Sequence, residues 1–322
     1  MKKMNRNILI TSAGKRVALV KAFKETLRKL LPDAKVYITD LNPRLAPVSY
    51  VADGWFKVER VTHPSYPDQL KKICQDYGIG LVIPTIDTEL LLLSKLKNDF
   101  RKLGVNVIVG DTQFVETCRD KRNTGVFFEN HGIRVPAALD PQKPHFPMFA
   151  KPYDGSLSAN LHIIKSASDL TENILNDPKL LFMEYIDKTI YKEYTVDMYY
   201  GQDNLVKEIV PRERIEIRAG EINKGITRKD EVVGALKEKL GYLPGCIGCI
   251  CVQLFYNPSD GDIVGIEINP RFGGGYPLSY AAGANYPEYL IREYLLNESI
   301  EYTEDWVDEM LMLRYDDAIF TK

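Results

Sequence analysis

Cysteine is scarce: the 322 residues contain five, Cys74, Cys118, Cys246, Cys249 and Cys251. Cys246 and Cys249 form one C-x-x-C, but no second pair and no nearby histidine completes a zinc set. Their surroundings, "GCIGCICVQLFY", are apolar and strand-like, which predicts buried structural thiols. The four histidines, His63, His131, His145 and His162, are scattered and form no H-E-x-x-H. No excess of either charge exists, with 42 Lys plus Arg against 44 Asp plus Glu. Total charge therefore gives no case for nucleic acid or an anionic membrane as partner. Long hydrophobic runs are also missing. "LVIPTIDTELLLLSKL" is interrupted by Asp87 and Glu89, well short of a membrane span. The basic opening holds only Ile8-Leu9-Ile10 as an apolar run, too short for a signal peptide. A cytoplasmic protein is expected, with no internal repeat and no low-complexity linker.

An ordinary globular composition is present, 45% hydrophobic and 27% charged, in a chain long enough for two or three packed units. "NILITSAGKR" is a strand entering a small-residue turn, and "VALVKAFKETLRKLL" has helical spacing. "AKVYITDLN", "GLVIPTID" and "VNVIVG" are further strands, separated by the helices "PDQLKKICQDYGI" and "TELLLLSKLKNDFRKLG". That alternation implies a Rossmann-like parallel sheet covered by helices, ending near Gly110. The first turn is no P-loop, because Leu9 stands where its first glycine belongs and Arg16 where Ser or Thr belongs; G-x-G-x-x-G is absent too. Ser12, Gly14 and Arg16 retain the capacity to hold an anion at the helix amino end.

After Asp111 the texture changes. "QFVETCRDKRNTGVFFENHGI" reads as one helix stopped by Gly132. "MFAKPYDGSLSANLHIIKS" reads as a strand, a polar turn and a returning strand. "SDLTENILN" is a short helix capped by Ser168 or Asp169. "LLFMEYI", "KEYTVDMYY" and "LVKEIVPRERIEIRAG" are strands, "RKDEVVGALKEKLGY" is a helix, and "GYPLSYAAGANYPEYLIREYLL" is helical again.

The most informative segment is the pair of strands in "CIGCICVQLFYNPSDGDIVGIEINPRFGGG". A loop over 258–262 would place Asn257 opposite Ile263 and Gln253 opposite Glu267. Asn269 follows two residues along the same face and Arg271 stands at its rim. Val252, Leu254, Ile266 and Ile268 alternate with them and face the core. Three convergent oxygen donors suit Mg²⁺; the alternative is a solvated sheet face. On "PRERIEIRAGE", Arg212, Arg214 and Arg218 share a face with Glu216. They fit either a carboxylate or phosphate site, or a self-neutralised solvated face.

Gln253, Glu267 and "EINPRFGGG" together resemble the metal-binding signature of the ATP-grasp superfamily, as in the carbamoyl-phosphate synthase large subunit and related short ligases. The resemblance covers most of the chain and implies an α/β and α+β architecture. Residues 1–110 would form a pre-ATP-grasp domain, 111–188 a small lobe with nucleotide flap and hinge, and 189–322 a large lobe with antiparallel sheet and metal site. It further implies ATP with Mg²⁺ (Mn²⁺ as substitute), the metal held by Gln253, Glu267 and Asn269. Lys121 of "CRDKRNT" and Lys151 of "MFAKPYDGS" would contact phosphates, with Gly155 and Ser156 in the flap. That flap departs from the family in its following "LSANLH", which is poor in glycine. Glu184 and the main chain near Ile186 would read adenine. Glu193 would bind ribose, or else pair with a lysine across strands. Arg271 and Lys151 would be catalytic, and Arg212, Arg214 and Arg218 would lie near the acceptor. The implied activity is ATP-dependent ligation of a carboxylate to an amine or ammonia through an acyl phosphate. The partners are those two small molecules and, by analogy with similar ligases, a second subunit in a homodimer. A carbamoyl-phosphate-forming enzyme and a non-catalytic nucleotide-binding protein are the competing readings.

Overall fold

The computed structural model describes residues 5–154, 160–218 and 220–321. The first sheet has strands β1 (Asn7–Thr11), β2 (Val36–Asp40), β3 (Gly54–Lys57), β4 (Ile79–Pro84) and β5 (Asn106–Val107). All five run parallel, in the order β3-β2-β1-β4-β5. Helices α1 (Val17–Leu30), α2 (Tyr66–Asp76) and α3 (Asp87–Lys102) connect them. Ile8, Leu9 and Ile10 are fully buried because alternate residues feed opposite faces of a sheet covered on both sides. Sequence reasoning did not find β3, a four-residue edge strand whose pattern of half-buried and exposed residues leaves little hydrophobic signal.

Next come α4 (Thr112–Arg119) and α5 (Lys121–Asn130). One continuous helix is expected here, but Asp120 adopts an extended conformation and its side chain accepts a hydrogen bond from the Arg122 amide. That cap starts a new helix and places Lys121 in its first turn. A three-stranded antiparallel sheet follows, β6 (Met148–Pro152), β7 (His162–Ile164) and β8 (Leu180–Glu184), ordered β7-β6-β8. Between β7 and β8, α6 (Glu172–Leu175) is capped by Thr171 rather than by Ser168 or Asp169, which lie in a preceding tight turn.

The remaining strands are β9 (Lys192–Tyr200), β10 (Val206–Arg218), β11 (Glu221–Thr227), β12 (Gly248–Tyr256), β13 (Ile263–Asn269) and β14 (Leu311–Leu313). They form one sheet in the order β13-β12-β9-β10-β11-β14. Helix α7 (Glu231–Leu240) packs against β10. The expected helical run after β13 is divided into α8 (Tyr276–Ala281) and α9 (Tyr286–Ile291), because Gly283 takes a φ of 114° and Asn285 caps the second piece. No helix among the described residues is long and apolar enough to cross a membrane.

A continuous core joins one face of the parallel sheet (Ile8, Ile10, Ile38) and Phe23 of α1 to the inner face of the six-stranded sheet (Val196, Met198, Ile250, Val252). Phe114 and Phe128 of α4 and α5 belong to the same core. Each such side chain contributes about 1.5–3 kcal/mol on burial. The three-stranded sheet has a separate core of only Met148, Ala150 and Ile164 at full burial. All five cysteines are buried and free, as the apolar context of the C-x-x-C predicts.

An ion pair lies out of water on one face of the six-stranded sheet, between β9 and β10. Arg212 donates from Nε and Nη2 to Asp197 at 2.8 and 2.9 Å, and neither side chain exceeds 1% exposure. Ser279 and Cys251 also donate to Asp197, at 2.6 and 2.9 Å. Removing one member strands the other charge in a low dielectric, so Asp197→Ala is expected to cost about 3–5 kcal/mol. Urea unfolding followed by tryptophan fluorescence checks this; a loss below 1 kcal/mol contradicts it.

Candidate ATP and metal site

The hairpin of β12 and β13 sets Gln253 opposite Glu267, the predicted pairing. Nearer the loop the register differs: Tyr256, not Asn257, faces Ile263. The shift falls between Gln253 and Leu254, where Ile266 is the extra residue of a bulge on β13. Ile266 is accordingly half-buried, whereas Val252, Leu254 and Ile268 are in the core as expected. A bulge beside the pair strengthens local twist and leaves the Glu267 end of the strand standing clear.

On that end the polar groups converge. Glu267 Oε1 accepts from Gln253 Nε2 at 2.8 Å and from Asn269 Nδ2 at 2.9 Å. The amide oxygens face guanidiniums: Gln253 Oε1 accepts from Arg214 and Asn269 Oδ1 from Arg271, both at 3.3 Å. No group of three or more His, Cys, Asp or Glu side chains among the described residues forms a metal cage. One carboxylate and two carboxamides are instead a partial oxygen shell, the kind a Mg²⁺ completes with waters and phosphates. The donor set fits that ion, provided the two amides turn their oxygens inward.

Both lysines arrive at the same carboxylate. Lys121 Nζ lies 3.8 Å from Glu267 Oε2, and its amide donates to the Tyr153 carbonyl at 3.0 Å, tying the start of α5 to the segment after β6. Lys151, near the end of β6, is 8% exposed. Burial lowers its pKa to about 8, with Lys121 adding to that and Glu267 opposing it. A buried ammonium with a depressed pKa seeks an anion. Gly155 and Ser156 lie outside the described residues.

Other expected residues are placed less simply. Glu184 is engaged by Arg134, which donates to it at 2.7 Å, while the Ala137 amide donates at 3.2 Å. Its carboxylate is thus committed to the fold, and Ile186 is buried beside it in sequence. Glu193 pairs with Lys188 at 2.7 Å, a lysine of the segment before β9 rather than one across strands, and also with Arg214 Nε at 3.3 Å. The arginines divide two and one: Arg212 and Arg214 share the face of the sheet that carries Gln253 and Glu267, and Arg218 does not join them. Arg212 is buried on Asp197, Arg214 joins the polar row, and Arg218 is exposed on Asp316. Register shifts between Arg214 and Glu216, and between Glu216 and Ile217, break the alternation that would place Arg218 with the other two.

One residue escaped sequence reasoning. Asp87, the first residue of α3, takes Arg271 Nε and Nη2 on its two oxygens at 3.0 and 2.8 Å. Burial works against the Arg271 charge, and Asp87 with the other anions around it outweighs that and raises its pKa. Arg16 lies near enough to Arg271 for mutual repulsion. A signal existed for Asp87, an acid following the carboxyl end of a parallel strand in "PTIDTE", but its partner is 184 residues away. The "GGG" after Phe272 is explained by close approach. A Cβ at Gly273 would lie 2.6 Å from Cys251 Sγ, and one at Gly275 would lie 2.0 Å from Arg212 Nη1.

Residues 176–316 match the family model described as "ATP-grasp in the biosynthetic pathway with Ter operon". Over these residues the chain is similar to an ATP-grasp module. Residues 8–108 match the model described as "PylC-like, N-terminal domain". Solved structures share the fold at low identity. The biotin carboxylase domain of Hydrogenobacter thermophilus 2-oxoglutarate carboxylase, with MgADP, ADP and bicarbonate, is 14% identical at TM-score 0.72, covering 95% of this chain and 73% of that one. Staphylococcus aureus N5-carboxyaminoimidazole synthetase with ADP is 18% identical at TM-score 0.70, covering 93% and 79%. The L-amino acid ligase of Bacillus licheniformis is 18% identical at TM-score 0.64, covering 91% and 75%. A comparison with curated proteins found no match.

Two outcomes are expected of this ATP-grasp site. Asp87→Asn removes the charge that holds Arg271, a loss worth about 1–3 kcal/mol of stability, read by urea titration; an unchanged midpoint refutes the clamp. Lys151 loses its charge as pH rises through about 8. MgADP affinity, measured by calorimetry from pH 7 to 9.5, is therefore expected to weaken above pH 8 in the wild type and stay level in Lys151→Arg. Parallel profiles contradict the phosphate role.

Proposed function

We propose that the protein is an ATP-dependent carboxylate–amine ligase that works through an acyl phosphate. One observation carries this reading: Lys121, Lys151, Gln253, Asn269 and Arg271 all converge on the Glu267 end of one hairpin. ADP and MgADP in the fold neighbours support it. Lys151 and Lys121 hold the terminal phosphate in line with the substrate carboxylate. A carboxylate oxygen attacks the γ-phosphorus and ADP leaves; the amine nitrogen then attacks the acyl carbon, phosphate leaves, and the amine gives up a proton. Gln253, Glu267 and Asn269 would hold Mg²⁺, or Mn²⁺ in its place, which supplies charge neutralisation on the phosphates. Arg271, preset by Asp87, meets the phosphoryl group during transfer.

Adenine lies against the main chain from Glu184 to Ile186 and ribose on Glu193, which exchanges Lys188 or Arg214 for the hydroxyls. Arg214 is the one arginine of its strand placed to reach both nucleotide and metal side chains. The working units are 1–110, 111–188 and 189–322, in a cytoplasmic protein that pairs as a homodimer.

Glu267→Gln keeps the shape and removes the charge, so ADP release should fall by about a hundredfold or more, with measurable nucleotide binding retained. The assay is ADP formation over pairs of carboxylates and amines, with product mass. Full turnover by the variant removes the metal assignment; ADP release dependent on bicarbonate and ammonia, with carbamoyl phosphate as product, replaces the ligase reading.

A further inference from the structure

The segment between α5 and β6 belongs to two sheets at once. The Arg134 carbonyl accepts from the Gly265 amide at 2.7 Å, which lays the segment beside Val264 of β13. A little further on, the Ala137 carbonyl accepts from the Glu184 amide at 2.8 Å, and the Leu139 amide donates to the Phe182 carbonyl of β8 at 3.0 Å. This is a main-chain joint between the three-stranded sheet, which carries Lys151, and the hairpin, which carries Glu267. A few hydrogen bonds along one line leave the angle between two sheets free. The three-stranded sheet cannot fix that angle by packing, because its fully buried side chains are few and form a core separate from the main one. Side chains across the joint must hold it.

Arg134 is the side chain that spans it. Its Nη1 donates to Glu184 Oε2 of β8 at 2.7 Å, and its Nε donates to Asp262 Oδ2, in the loop closing the hairpin, at 3.1 Å. Tyr191, from the connection between β8 and β9, donates its hydroxyl to the same Asp262 oxygen at 2.9 Å. A planar guanidinium can face two carboxylates at once, and here one stands on each side of the joint. Arg134 and Asp262 are 38% and 30% exposed. Ion pairs in such a setting contribute little to overall stability. They suffice to bias an angle that packing leaves free, and they open readily.

We infer that Arg134 is a positioning residue: it latches the three-stranded sheet over the hairpin and so sets how far Lys151 stands from Glu267. This rests on the ligase reading for its consequence. The latched form brings the phosphate and metal side chains together, and release of Arg134 from Asp262 lets nucleotide enter and leave. The partners of the guanidinium are Glu184, Asp262 and Tyr191, none of them in the phosphate or metal set. Arg134 therefore reaches the chemistry only through the orientation of one sheet on the other.

The test reads that orientation directly. Nitroxides are attached to the full chain at Ile163→Cys of β7 and Glu238→Cys of α7, both exposed positions, while the native thiols are all buried. Double electron–electron resonance without nucleotide compares the chain that keeps Arg134 and Asp262 with Arg134→Gln, Asp262→Asn and the two combined. One narrow distance distribution is expected with the latch intact. Each single variant should broaden it, and the combination should add nothing further, because both changes remove the same contact. MgADP affinity, measured by calorimetry, should weaken about twofold to fivefold in each single variant, the range for exposed ion pairs, and no further in the combination. Arg134→Lys, which keeps the charge and loses the fork, should fall between. Superimposable distributions in all these proteins, or a combined effect equal to the sum of the single ones, overturn the inference. If MgADP binds to none of them, the ATP reading fails and the distance distributions alone decide the latch.

Discussion

The cross-strand pair of Gln253 and Glu267 is the contact on which the rest of this structure depends. It fixes the register of β12 against β13 at the one point where a bulge would otherwise let it slip. A shift by one residue would turn Glu267 into the core and present Ile268 to the lysines. Because the register holds, the apolar residues of the hairpin complete the core while the carboxylate meets Gln253, Asn269 and Lys121. Packing and chemistry are set by the same alternation.

From Glu267 the polar contacts run in two directions. One passes through Gln253 to Arg214 and Glu193, across the six-stranded sheet. The other passes through Asn269 and Arg271 to Asp87 at the edge of the parallel sheet. The Asp197–Arg212 pair lies beside this row on the same face of the sheet, with the glycines after Phe272 packed close against it. The six-stranded sheet and the edge of the parallel sheet are thereby linked through one carboxylate. A charge arriving at either end is felt at the other, because these groups sit in a partly desolvated layer where Coulomb forces are screened weakly.

Much of this was legible in the sequence, and the failures have physical causes. The parallel sheet showed in the alternation of apolar runs with helical spacing, and the hairpin in the turn "PSDGD" between alternating strands. Gln253 opposite Glu267 followed from counting. The bulge at Ile266 did not, since a pleat interruption leaves no mark on composition. Arg212, Arg214 and Arg218 were grouped by period two, and the shifts in β10 separated Arg218 from the other two. The break at Asp120 was hidden by good helix formers on both sides. Asp87 was out of reach because its significance depends on Arg271, 184 positions away, brought beside it by the tertiary fold.

The account stands or falls on Glu267 as the centre of a divalent-cation site formed with nucleotide. The direct measurement is electron paramagnetic resonance of Mn²⁺ titrated into the protein with saturating ADP, for the wild type and Glu267→Gln. A protein-dependent loss of free Mn²⁺ signal in the wild type that largely disappears in the variant is the predicted result. Equal Mn²⁺ uptake by both proteins would contradict it.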